Sequence, residues 1–144
     1  MIKRNIKKEP DFVYLVATSI IKNESEEILL LKRSHDSSYE DFWQLPEGKI
    51  EMREKPRDAI IREMKEETGL EVKIEEMVFT QDWEFSYEKG SVWFKRFIFR
   101  TKALDGKIKL SHEHTDYKWV KPEDAVRELK LIPGIKEIIK ELLR

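Results

Sequence analysis

No cysteine occurs among the 144 residues. A disulfide framework and a cysteine-ligated zinc are therefore excluded together. Glycine and proline are sparse, five of each, and neither clusters into a linker or a low-complexity tract. Long apolar runs are missing as well. The stretch Phe12 to Ile21 falls far short of the roughly 20 residues a membrane helix needs. The basic start, Met1 to Lys8, lacks a following small-residue cleavage site, so a cytoplasmic protein is expected. Charge of one sign is the last absence. Twenty-eight Lys and Arg face 29 Asp and Glu, for a net charge of -1. No overall field draws in nucleic acid or an anionic membrane, and any positive charge for a polyphosphate must be local.

What remains is 40% hydrophobic and 40% charged. That is enough apolar material for one domain spanning residues 1–144, with a highly charged surface. Phe12 to Lys22 and Glu27 to Arg33 read as strands around the turn Asn23 to Ser25, and Phe42 to Leu45 reads as a short strand ended by Pro46. A helix is expected from Pro56 to a C-cap at Gly69. Ile60, Ile61, Met64 and Thr68 fall on its core arc, and Ala59 falls among acidic positions. Glu71 to Ser86 and Ser91 to Leu104 are long strands about the hairpin Tyr87 to Gly90. Lys107 to Leu110 and Tyr117 to Val120 read as short strands flanking Ser111 to Asp116. Pro122 to Leu129 and Pro133 to Leu143 read as helices with proline in the opening turn.

The informative segment runs from Gly48 to Leu70. Glu63, Glu66 and Glu67 sit at i, i+3 and i+4, so they are neighbours on one helical surface. Carboxylates this close repel one another, and a hard cation with oxygen ligands removes the conflict. Gly48, Glu54, Arg62, Glu63, Met64, Glu66, Glu67, Gly69 and Leu70 together match the pattern G-x5-E-x7-R-E-U-x-E-E-x-G-U, with U apolar. This pattern resembles the Nudix box, and the likeness extends from about Phe12 to the C-terminus. One departure precedes the box: Leu45-Pro46-Glu47-Gly48 stands where the family commonly reads Leu-Pro-Gly-Gly, which bears on the geometry of this loop.

The resemblance implies an α+β chain with the Nudix fold, an α/β/α sandwich about a mixed central sheet. It also implies a pyrophosphohydrolase that uses Mg²⁺ or Mn²⁺ to direct water at a phosphorus of a nucleotide or polyphosphate. Glu63, Glu66 and Glu67 correspond to metal ligands, joined by the backbone carbonyl of Glu47. Glu54 and Arg62 correspond to supporting box residues, with Arg62 holding the acids by bidentate pairing. The general base is Glu63 or a carboxylate on a distant loop. Glu113, in Ser111-His-Glu-His-Thr-Asp-Tyr-Lys-Trp119, is the outside candidate for base or extra ligand, and His112 and His114 flank it. Lys32 and Arg33 end a strand that often carries a phosphate-contacting cation, although alternation turns only one of them to the site. Trp43, Trp83 and Tyr87 are candidate stacking partners for a flat base or pterin.

Phe42-Trp43-Gln44 and the His112 to Trp119 segment are similar to the branch that takes dihydroneopterin triphosphate and deoxynucleoside triphosphates. Tyr87, 17 residues beyond Leu70, is similarly placed to a tyrosine of diadenosine polyphosphate hydrolases, the alternative. No proline lies between Leu70 and Lys121, unlike the ADP-ribose branch. A non-catalytic Nudix-like module would have lost box glutamates, and all are present. An mRNA-decapping role gains nothing from a net charge of -1. Homodimers are common in the family.

Overall fold

The computed structural model describes residues 9–144. The basic start, residues 1–8, lies outside the described residues. Seven strands and three helices follow in the order β1 (Phe12–Lys22), β2 (Ile28–Arg33), β3 (Trp43–Gln44), β4 (Glu47–Lys49), α1 (Pro56–Thr68), β5 (Glu71–Tyr87), β6 (Gly90–Asp105), β7 (His114–Val120), α2 (Pro122–Glu128) and α3 (Ile135–Leu142).

All seven strands form one mixed sheet, with the path β3-β2-β1-β6-β5 and with β4 added to β1 and β7 to β2. β1 and β6 run parallel over eleven residue pairs, Phe12↔Val92 to Lys22↔Lys102. The other pairings are antiparallel. β1 and β2 meet only next to their turn, at Lys22↔Ile28. Asn23 closes that turn by accepting hydrogen bonds at Oδ1 from the amides of Ser25 and Glu27. Beyond it the two strands diverge. β4 takes the free edge of β1 at Val16 to Thr18, while β7 takes β2. A cleft opens in this fork.

Strand alternation divides the buried side chains between two layers. Ala17, Ile21, Leu29, Leu31 and Phe99 pack with Ala59, Ile60 and Met64 of α1. Ile20, Ile28, Leu30 and Ile98 pack with Ala125 of α2 and Ile135, Ile138 and Ile139 of α3. The sandwich expected from the sequence is the one observed.

The structure departs from the sequence reading at five places. Lys107 to Leu110 is not a strand. It runs along the end of α1, where the amide of Lys109 donates to the carbonyl of Thr68 at 2.8 Å and that of Ser111 to Glu67 at 3.3 Å. These bonds occupy carbonyls that a helix end leaves open. Ile61 is half exposed rather than core, whereas Ala59 is fully buried in the α1 layer instead of lying beside the site. Pro133 precedes α3, whose N-cap is Gly134 at φ 93°. Glu47 to Lys49, unassigned in the sequence, forms β4.

Candidate active site

α1 starts at Pro56 and stops at Gly69, which adopts φ 75° and returns its amide to the carbonyl of Lys65. Between these ends the helix aims Glu63 and Glu67 inward, each under a tenth exposed, and leaves Glu66 largely in solvent. β4 passes close over Glu63. A Cβ on Gly48 would fall within the Glu63 carboxylate, so the box glycine is demanded by close approach. Glu47 is an extended strand residue paired with Thr18, and its backbone does not take the left-handed conformation that glycine favours.

Arg62 organises the acids. Its Nε and Nη2 donate to the two oxygens of Glu54 at 2.8 and 2.9 Å, and its Nη1 donates to Glu63 at 2.7 Å and to Glu66 at 3.2 Å. Nη2 also donates to the carbonyl of Lys49 at 3.0 Å, tying the helix to β4. The bidentate hydrogen bonds of Arg62 pull the Glu54 carboxyl down to about 2, helped by the amide of Glu51. The same contacts raise the guanidinium, which stays charged. Burial pushes Glu63 up, against the pull of Arg62 and with the repulsion of Glu66 and Glu67.

The turn before β7 completes the site from the other side. His114 Nδ1 lies 2.9 Å from Oε2 of Glu67, and Ser111 Oγ donates to the same oxygen at 3.3 Å. Burial would raise Glu67, but these neighbours outweigh it and hold the group low. Glu113 is pushed up, first by its closeness to the Glu67 carboxylate and then by desolvation. Ligand atoms of Glu67, Glu113 and His114 all lie within 4.8 Å of one another. Two buried carboxylates, a third at hydrogen-bond distance from Arg62 and a fourth across the turn fit a divalent cation, whose charge reverses their mutual repulsion.

These groups border a cavity of about 620 Å³ in the sheet fork, also lined by Val16, Arg33, Gln44, Lys49 and Phe94. Arg33 donates to Gln44 Oε1 at 2.6 Å and to the carbonyl of Ser38 at 2.7 Å, so the guanidinium is held at the rim. Beside Phe94, Arg96 is 2% exposed and donates to Glu47 at 2.9 and 3.3 Å, while Thr18 Oγ1 donates to Glu47 at 2.7 Å. Gln81 accepts from Arg96 and donates to the carbonyl of Gly134, which extends this polar line to the start of α3.

Sequence reasoning placed Glu47, Glu63, Glu66, Glu67, Glu113 and Arg33 on this cavity, with Glu54 bonded to Arg62 directly behind it. Four residues expected to bind substrate, Lys32, Trp43, Trp83 and Tyr87, do not line it. Lys32 alternates away from Arg33 and faces its cross-strand partner Trp43, whose ring centre lies 5.9 Å from the Lys32 ammonium and 5.7 Å from that of Lys118. Trp83 packs over Gly134. Tyr87 is half exposed at the hairpin end and donates its hydroxyl to Asp11. Lys49, Gln44, Arg96 and the side chain of Glu47 were missed. The spacing of Lys49 next to the box glycine was the available signal for the first; nothing local marked Arg96, which sits among aromatics in a long strand.

The NUDIX domain family model matches residues 13–142. The 8-oxo-dGTP diphosphatase of Escherichia coli is 34% identical over 79 residues, covering 55% of this chain and 61% of that protein's length. The CTP pyrophosphohydrolase of the same organism is 30% identical over 112 residues, 78% of each chain. Among solved structures, the MutT protein from Methanosarcina mazei Go1 superposes with a TM-score of 0.82 at 26% identity, covering 96% of this chain and 97% of that one. With every box position filled, its acids gathered at one cavity, and the family match running almost end to end, the chain belongs to the NUDIX domain family and is a hydrolase of that family.

Proposed function

We propose that the chain is a divalent-metal-dependent pyrophosphohydrolase that cleaves a phosphoanhydride bond of a nucleoside triphosphate or similar triphosphate by attack of water on phosphorus. The observation that carries this reading is the convergence of buried Glu63 and Glu67 with Glu66 and Glu113 on one open cavity that also presents Lys49 and Arg33. Acids without cations would repel a polyphosphate, and cations without acids would bind it and leave it intact.

Glu63, Glu66 and Glu67, with the carbonyl of Glu47 and the carboxylate of Glu113, would hold Mg²⁺ or Mn²⁺. When bound, such an ion offsets phosphate charge and supplies a Lewis acid beside the reacting phosphorus. The protein's own task is positional. Arg62 and Glu54 fix the rotamers of Glu63 and Glu66. Lys49 and Arg33 receive phosphate oxygens at the rim. Glu63 or Glu113 takes the proton from the attacking water. Phe94, backed by the Arg96–Glu47 pair, offers a flat apolar face with polar neighbours to the base.

The E. coli relatives are named for acting on 8-oxo-dGTP and CTP, which supports a nucleoside triphosphate here. Tyr87, the residue that pointed to a diadenosine polyphosphate, donates to Asp11 and does not line this cavity, which favours the triphosphate reading over that alternative. The test is a screen of purified chain against deoxynucleoside triphosphates, CTP, dihydroneopterin triphosphate, diadenosine tetraphosphate and ADP-ribose with Mg²⁺, products being assigned by ³¹P NMR. Preferred turnover of a triphosphate with release of pyrophosphate is expected. Preferred turnover of diadenosine tetraphosphate or ADP-ribose would overturn the substrate assignment.

A further inference from the structure

We propose that His114 is a metal ligand, and that Glu67, Glu113 and His114 form a mixed oxygen and nitrogen position that selects a first-row transition-metal cation over Mg²⁺. The inference rests on reading the cavity as a cation-dependent hydrolase site and adds a ligand outside the box.

The His114 side chain is 3% exposed. A buried imidazole normally donates a ring N–H to an acceptor. Here neither ring nitrogen has a hydrogen-bond partner among the described residues, and both atoms are shut off from solvent. Nδ1 lies 2.9 Å from Glu67 Oε2 but off the line of a hydrogen bond. A ring nitrogen and a carboxylate oxygen at this separation have the spacing of adjacent ligands on one ion. An octahedral cation with bonds of about 2.1 Å holds adjacent ligands about 3 Å apart and opposite ones about 4.2 Å apart. The distance from Nδ1 to Glu67 matches the first, and the whole triad lies within 4.8 Å.

The backbone holds this arrangement before any ion arrives. The amide of Ser111 donates to the carbonyl of Glu67, the amide of His114 to the carbonyl of Ser111, and the amide of Ser34 to the carbonyl of Glu113. The turn is thereby stapled to α1 on one side and to the end of β2 on the other. Mg²⁺ gains little from an imidazole, whereas Mn²⁺, Co²⁺ and Zn²⁺ accept one readily. A second histidine cluster, His35 with Glu40 and Asp41, is wholly exposed and has no such buried orphan.

The experiment uses the full chain stripped with EDTA and loaded with substoichiometric Mn²⁺. A His35→Gln/His112→Gln double variant leaves His114 as its single histidine. Pulsed EPR should show ¹⁴N coupling to Mn²⁺, converted to ¹⁵N coupling when histidine is isotopically labelled. His114→Gln should lose the coupling and should lower at least tenfold the Mg²⁺ concentration needed to displace Mn²⁺. Absence of histidine-nitrogen coupling in the double variant, or unchanged displacement in His114→Gln, overturns the proposal. Mg²⁺-dependent hydrolysis persisting alongside that absence would leave the hydrolase reading intact. Nitrogen coupling in a chain that hydrolyses none of the screened compounds would instead retain the metal ligand and reject the hydrolase reading.

Discussion

Arg62 is the residue on which the site's geometry turns. It spends its donors on Glu54, Glu63, Glu66 and the carbonyl of Lys49, so one guanidinium sets two helix carboxylates and the β4 backbone. Lysine keeps the charge but loses the planar fork. Arg62→Lys is therefore expected to lower kcat by about 10- to 100-fold, the scale of losing a residue that orients ligands, with KM nearly unchanged. Steady-state kinetics with kcat equal to the parent's would contradict that role. Glu54 gives the same pairing a pH signature. Its carboxyl titrates at about 2 instead of 4.5, so it binds a proton less readily in the folded chain than in the unfolded one. The stabilisation is complete above the ordinary value and is lost as pH falls from about 4.5 through about 2. Thermal melts of Glu54→Gln across that window should fall less steeply than those of the parent, and parallel curves would show that the pairing adds nothing to stability.

At the scale of elements, α1 was the most legible part of the chain. Pro56 and Gly69 mark its ends, and its acids occupy one face by spacing alone. Its apolar side was read less well. The boundary between core and solvent depends on where β1 and β5 lie, and this placed Ala59 inside and left Ile61 half exposed. The segment 107–111 carries strand-like alternation, yet among the described residues it joins no strand. The open carbonyls at the end of α1 take its amides instead. Thr68 sits at this junction, fully buried, donating to the carbonyl of Met64 at 2.6 Å and accepting from the amide of Leu70 at 3.2 Å. Thr68→Val keeps the shape and leaves the buried Leu70 amide without that acceptor, which should cost about 1–3 kcal/mol. Urea titration that finds the variant as stable as the parent would remove Thr68 from the end of the helix as a structural element. Substrate-facing residues were the least legible. Lys32 and Arg33 are adjacent in sequence, and only the pairing of Lys32 with Trp43 shows which of them faces away. The aromatic residues of β5 and β6 look alike as a string, and the register with β1 and the position of Gly134 determine that Phe94 reaches the cavity and Trp83 does not.

For the whole molecule, the divergence of β1 from β2 is what turns a sandwich into a container. The fork admits β4 on one side and β7 on the other, and each delivers site residues: Glu47, Gly48 and Lys49 from the first, and His114, with the adjoining turn, from the second. No helix among the described residues is long and apolar enough to cross a membrane. Burial opposes charge on the Glu63 carboxylate and pushes it up, which burdens the metal-free fold. A cation that binds only the folded chain should offset this, by about 2.7 kcal/mol at one hundred times its dissociation constant. Millimolar Mn²⁺ should accordingly raise Tm relative to EDTA, and Glu63→Gln should blunt the rise; superimposable melts would reject a folded-state cation site. The central claim is that the Glu67 carboxylate at the heart of the cavity supports metal-assisted attack on a phosphoanhydride. Its most direct measurement is turnover of the preferred triphosphate by parent and Glu67→Gln at saturating Mg²⁺. Loss of at least ~10³ in kcat, with nucleotide binding affected much less, is the predicted result. Turnover within tenfold of the parent would contradict it.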